Sequence, residues 1–195
     1  MHAAAASNVT ATCTGPTTNQ GGGAPGTTAG TDGYGTGTET GITVNVANGA
    51  GNTVNGNRYG IYVADGTVTN NAGASITGGL YGIITNVGAT NITNSGSITG
   101  SSYSGIYAQT DATVTNNAGA TITGGDFGIF ANAGAANVTN FGTITAHSFG
   151  YGIFAPTDVT VTNNSGATIT AFSNAITASN NANVTNSGSI ISTSN

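Results

Sequence analysis

Tyr81-Gly82-Ile83-Ile84-Thr85, then Thr90-Asn91-Ile92-Thr93-Asn94, then Ser97-Ile98-Thr99-Gly100: three short β-branched segments follow one another, each bounded by Gly, Asn or Ser. Val, Ile and Thr favour strands, whereas Gly, Asn and Ser close turns. Alternation sends the central Ile to one side and its Thr, Ser or Asn neighbours to the other. One such unit buries too little apolar surface to stand alone, so it has to stack on copies of itself.

The copies are present, at a period of about 23 residues. The first element centres on Ile61, Ile83, Ile106, Ile129, Ile153 and Ile176. The second centres on Val68, Ile92, Val114, Val138, Val161 and Val184, and the third on Ile76, Ile98, Ile122, Ile144, Ile169 and Ile190. The pattern predicts an all-β fold, a single-stranded parallel β-helix, right-handed, with three short strands per coil and about seven coils. Successive coils would pair in parallel about 4.8 Å apart, each buried Ile or Val contributing about 1.5–3 kcal/mol.

A weaker copy precedes these. Asn45-Val46-Ala47-Asn48 aligns with Thr67-Val68-Thr69-Asn70, and Thr53-Val54-Asn55-Gly56 with Ser75-Ile76-Thr77-Gly78. The expected division is therefore an N-terminal capping segment over 1–38 and β-helix repeats over 39–195. Val9 to Cys13 alternates like a strand and would cap the stack; residues 14–37, rich in Gly, Thr and Pro, are expected to run irregularly over the first coil. Met1-His2, four alanines and Ser7 read as a start placed just after an Ala-rich signal-peptidase site, hence as an exported protein.

After every second strand stands an Asn: Asn70, Asn94, Asn116, Asn140, Asn163 and Asn186. Asn accepts the left-handed conformation, and its amide can bond the amide one coil away. An inward, structural Asn ladder is the expectation. The turn beyond it alternates between Asn-Ala-Gly-Ala or Asn-Ser-Gly-Ala and a shorter Ser-Gly-Ser or Phe-Gly-Thr. Asp65, Asp111 and Asp158 follow the first class, so the true repeat is about 46 residues and sets these carboxylates about 10 Å apart, where repulsion is largely screened.

Only 4% of the 195 residues are charged; Arg58 is the single Lys or Arg, and the formal charge is −5. That removes the electrostatic footprint for nucleic acid or an anionic membrane, and no apolar run is long enough for a membrane-spanning helix. Cys13 is alone, so no intrachain disulfide forms. The acids Asp32, Glu39, Asp65, Asp111, Asp126 and Asp158 are spread along the chain, and Arg58 and His147 fall at turns. A glycosidase needs two convergent carboxylates, so no catalytic residue, metal ligand or cofactor is assigned. Five Asn-x-Ser/Thr sequons start at Asn8, Asn91, Asn137, Asn163 and Asn183; three lie about 46 residues apart, which the double repeat produces by itself.

Two surface features remain. One is an outward stripe of Tyr62, Ile84, Tyr107, Phe130 and Phe154, read as exposed, each ring lying over Gly60, Gly82, Gly105, Gly128 or Gly152 as bare backbone. A second aromatic set, Tyr59, Tyr81, Tyr103, Phe127 and Tyr151, is expected to stack inside or at a corner. The other feature is a hydroxyl face carrying Thr67, Thr69, Thr93, Thr113, Thr115, Thr139, Thr160 and Thr162. Its Thr-x-Thr rows resemble those of ice-binding β-helices, which implies a possible antifreeze role; Thr is also simply a good strand former with a polar outer end.

Two stretches together resemble autotransporter passenger domains of alphaproteobacteria. One is Thr12-Cys13-Thr14-Gly15 leading into Thr18-Asn19-Gln20 and Gly33-Tyr34-Gly35-Thr36-Gly37; the other is the repeated Val-Thr-Asn-x-Gly-x-Ile-Thr-Gly with Tyr-Gly-Ile after it. The resemblance implies export, a cell-surface or extracellular location, and a C-terminal outer-membrane barrel beyond a β-helical passenger of which this chain is the N-terminal piece. The function it implies is a non-enzymatic adhesin or stalk, whose partners would be a second copy, a host surface or a glycan. Ice binding is the alternative, and a polysaccharide-active β-helix comes third.

Overall fold

The computed structural model describes residues 5–22, 30–148 and 150–194. The reading of the first residues as a processed export site rests partly on Met1 to Ala4, which lie outside the described residues. The described chain is all strand, turn and bend, wound into a β-solenoid of about seven turns of about 23 residues.

Three parallel sheets form its walls. The first holds Thr10–Cys13, Ile42–Val46, Gly66–Asn70, Thr90–Asn94, Ala112–Asn116, Ala136–Asn140, Val159–Asn163 and Ala182–Asn186. The second holds Pro16–Thr18, Thr53–Gly56, Ser75–Gly78, Ser97–Gly100, Thr121–Gly124, Thr143–Ala146, Thr168–Ala171 and Ser189–Ser192. The third holds Tyr59–Val63, Tyr81–Thr85, Ser104–Ala108, Phe127–Ala131, Tyr151–Ala155 and Ile176–Ala178.

Register follows the repeat. Val114 pairs with Ile92 and Val138, Ile122 with Ile98 and Ile144, and Ile106 with Ile83 and Ile129. These ladders are the core, and their central members are fully buried.

The segment before residue 39 does more than pass over the first coil. Thr10–Cys13 pairs in parallel with Ile42–Val46, Pro16–Thr18 pairs with Thr53–Asn55, and Tyr34 bridges to Ile61. Ala11 thus heads one core ladder and Tyr34 stands at the head of the Ile61 ladder, both fully buried. The expectation of an irregular run over 14–37 is corrected at Pro16–Thr18. Its proline takes the first position of the strand, where a missing N–H is tolerated.

The register of the first full coil also differs from the sequence alignment. Val44, not Val46, pairs with Val68, and Val46 faces Asn70. A shift of two residues keeps every side chain on its own side of the strand, so alternation alone does not choose between the registers. The turn decides: Ala47 to Asn52 is longer than Asn71 to Ala74, and it is held by Gly49 at φ 113° and by Asn52 Nδ2 donating to the Asn48 carbonyl at 2.6 Å.

Candidate functional site

The third sheet and the corner before it carry one continuous file of aromatic rings. It opens where the Arg58 guanidinium lies 4.7 Å from the Tyr59 ring centroid and donates to the Tyr59 hydroxyl at 2.6 Å. Tyr59 meets Tyr62 at 4.8 Å and Tyr81 at 5.6 Å, and Tyr81 meets Tyr103 at 5.1 Å and Tyr107 at 5.4 Å. Tyr103 then meets Phe127 at 5.6 Å; Phe127 stacks on Phe130 at 4.6 Å and on Tyr151 at 5.7 Å; Phe130 meets Phe154 at 5.3 Å. All are within the range in which aromatic pairs attract beyond their buried area.

The two predicted aromatic sets are therefore one band, with the second set at the corner and not inside. The band is less open than its sequence reading as an exposed stripe. Tyr62, Tyr107, Phe130 and Phe154 are half-buried, and Ile84 is 8% exposed. Each ring leans on rings of its own and the neighbouring coil, which is what removes its surface from water. Tyr62 is covered further by the N-terminal segment, because Gly37, at φ 81°, lies over its ring where no Cβ would fit.

The glycines beneath do a different job from the one expected. A Cβ on Gly82 would lie 2.6 Å from the Gly105 carbonyl oxygen and 2.8 Å from Ile98 Cγ2. That side of the glycine faces the interior, where the second and third sheets come closest, so its lack of a side chain closes the corner and does not bed a ring.

Burial raises the Tyr107 phenol, helped by Tyr103, and pushes Tyr81 up to about 12, with repulsion from Tyr103, Tyr107, Tyr59 and Asp126 adding to it. Beside the rings runs a row of amides. Asn86 Nδ2 donates to the Tyr62 hydroxyl at 3.0 Å, and the Tyr107 hydroxyl donates to Gln109 Oε1 at 2.7 Å.

Asn70, Asn94, Asn116, Asn140 and Asn163 form the inward ladder, and Asn186 ends it on the last strand of the first sheet. Each of the five donates Nδ2 to the Oδ1 of the next at 2.8–2.9 Å, and again to a backbone carbonyl one coil on. None uses the left-handed conformation, which among the described non-glycine residues is confined to Asn8 and Asn19. Left-handed geometry falls instead to Gly73, Gly119 and Gly166 in the longer turn class. In the shorter class, Asn94 and Asn140 accept the N–H of Gly96 and Gly142 at 3.2 Å. The double repeat is thus visible as two turn geometries around one ladder.

The hydroxyl face is the outer side of the first sheet. Thr67, Thr113 and Thr160 alternate with Asn91, Asn137 and Asn183 in one column, while Thr69, Thr93, Thr115, Thr139 and Thr162 stand in the next. The column extends to Thr10 and Thr43, with Thr12 and Asn45 beside them.

Compared with protein-family models, with curated proteins and with solved structures, the chain matches none.

The acids do not converge. Asp111 Oδ1 accepts the Ala135 N–H at 2.8 Å, and Asp158 Oδ1 accepts Asn181 N–H at 3.2 Å and its Nδ2 at 2.9 Å, so each pins a turn of the next coil. Asp65 does the same for Gly41 of the preceding one. Among the described residues no three His, Cys, Asp or Glu side chains cluster as a metal site. Cys13 is buried, and burial pushes its thiol up to about 12.

Glu39 is the residue the sequence reading passed over. It is 4% exposed, and its carboxylate accepts the Thr36 N–H through both oxygens at 3.0 and 3.1 Å and the Thr36 hydroxyl at 2.6 Å. It fastens the glycine loop that covers Tyr62. The available signal was an acid three residues before Ile42, the start of the first full coil, in a chain with six acids in all.

Proposed function

We propose that this chain is a non-enzymatic, surface-displayed β-solenoid of the autotransporter passenger type, serving as an adhesin or stalk. The supporting observation is the unbroken file of rings from Tyr59 to Phe154 on a sparsely charged stack whose Asp65, Asp111 and Asp158 are spent on turns. A stack in which every coil pairs only with its neighbours gives reach. The half-buried rings, flanked by Asn86 and Gln109, give a nearly uncharged contact strip, with Arg58 at its head, suited to a glycan or a second copy. In this reading the chain is exported, and a barrel encoded beyond it holds it in the outer membrane.

Antibody labelling of intact source cells tests the placement; signal only after the cells are broken would end it. The contact strip is tested by replacing Tyr107 and Phe130 together with Ser. Attachment to glycan-coated surfaces, or self-association, should fall while the circular dichroism is unchanged.

A second reading is ice binding through the first sheet, favoured by its eight strands in register with Thr or Asn at both outward positions. Thermal hysteresis at millimolar protein is the assay, and its absence removes the reading.

A further inference from the structure

The five sequons are alike in sequence and unlike in the fold. Asn163 is 1% exposed and committed to the ladder: its Nδ2 donates to Asn186 Oδ1 at 2.8 Å and to the Ser189 carbonyl at 3.1 Å. Asn91, Asn137 and Asn183 stand exposed on the outer side of the first sheet, and their side chains make no hydrogen bond among the described residues. Because residues two apart on a strand share a face, Thr93, Thr139 and Thr185 project beside them. Both halves of each sequon therefore face outward together. At Asn163 the two halves are parted, the Asn inside and Ser165 in the turn.

The double repeat adds room. Thr113 lies between Asn91 and Asn137 in the column, and Thr160 between Asn137 and Asn183. The three amides are two strands, about 10 Å, apart; on successive strands, attached sugars would crowd at about 4.8 Å.

We infer that Asn91, Asn137 and Asn183 form an N-glycan acceptor column on the first sheet, modified by a transferase that uses a nucleoside-diphosphate hexose. The amide nitrogen attacks the anomeric carbon of the donor. The new C–N bond forms as the C–O bond to the diphosphate breaks; the nucleoside diphosphate leaves with the electron pair, and one amide proton passes to a base of the transferase. This site is separate from the aromatic band and does not depend on it. It competes with ice binding, since sugars on the column would stand across the hydroxyl face.

The test is glycopeptide mass spectrometry of the full chain isolated from its source cells, and of the folded chain incubated with a sequon-reading transferase and a nucleoside-diphosphate hexose. A hexose mass is expected on Asn91, Asn137 and Asn183 and none on Asn163, although a synthetic peptide spanning Asn163-Asn164-Ser165 accepts the sugar. Thr93→Ala and Thr139→Ala should each remove the sugar from the preceding Asn, and Thr93→Ser should keep it. Bare Asn91 and Asn137 in both preparations, or equal modification of Asn163 in the folded chain, would overturn the inference.

Discussion

Asn116 donates its side-chain amide to Asn140 Oδ1 at 2.8 Å and to the Thr143 carbonyl at 3.2 Å, tying two corners of the next coil with one nitrogen. Asn94 in turn donates to Asn116 Oδ1 at 2.9 Å. Asn116→Ala removes both links at the middle of the stack. It should cost about 1–3 kcal/mol in denaturant unfolding, because buried amide groups lose partners there. Asn186, exposed on the last strand of the first sheet and only accepting, should cost less than half as much when changed to Ala. Equal losses would show that the ladder contributes no more inside than at its end.

Glycine at the third-sheet corner is predicted to be irreplaceable for reasons of space. A Cβ on Gly105 would sit 2.8 Å from both the Gly128 carbonyl oxygen and Ile122 Cγ2. Gly105→Ala should destabilise by about 1–3 kcal/mol, the usual cost of overpacking. Gly51 has nothing within 4 Å of an added Cβ, and Gly51→Ala should leave the thermal midpoint nearly unchanged.

The aromatic band should respond to alkali. The Tyr81 phenol is raised, chiefly by burial, to about 12 in the folded protein, against about 10 for a free tyrosine. A raised acid favours its neutral form in the fold, so this stabilisation is complete below about pH 10 and is lost as pH climbs toward 12. Ultraviolet titration of Tyr81→Phe against the parent chain should remove one late-ionising tyrosine. If all tyrosines titrate together near 10, the packing of the band is looser than described.

Cys13 offers a probe of the N-terminal coil. Its thiol is buried and pushed up to about 12, and only the thiolate reacts. At pH 8 a thiol reagent should label it slowly in the native chain and at once in denaturant. Fast labelling without denaturant would mean that Thr10–Cys13 leaves the first sheet readily.

Most of the architecture was legible because one physical demand, burying a β-branched residue from nearly every strand, repeats coil after coil. The Asn ladder was legible too, since an amide at each second-strand end fits a buried hydrogen-bonded row, whereas the left-handed turn also read there falls to glycine. The first-coil register was not, because Val44 and Val46 lie on the same side of their strand and the choice rests on a turn two residues longer. Nor was Tyr103. An extra residue in its corner puts Ser104, not Tyr103, opposite Tyr81 in the strand, yet the ring still reaches between Tyr81 and Phe127. The candidate strip was found by pattern and overestimated in exposure, because a single repeat does not reveal that rings from two files tile one another.

The ladder also gives the solenoid a direction. Every amide from Asn70 to Asn163 points its N–H toward the next coil, and Asn70 Oδ1, facing Val46, has no donor among the described residues. Amides aligned head to tail polarise one another, and their dipoles add along the axis as peptide dipoles do in a helix. A rod with almost no net-charged side chains thus carries an internal electric arrow, its oxygen end toward the N-terminal coil and its N–H end toward Asn186.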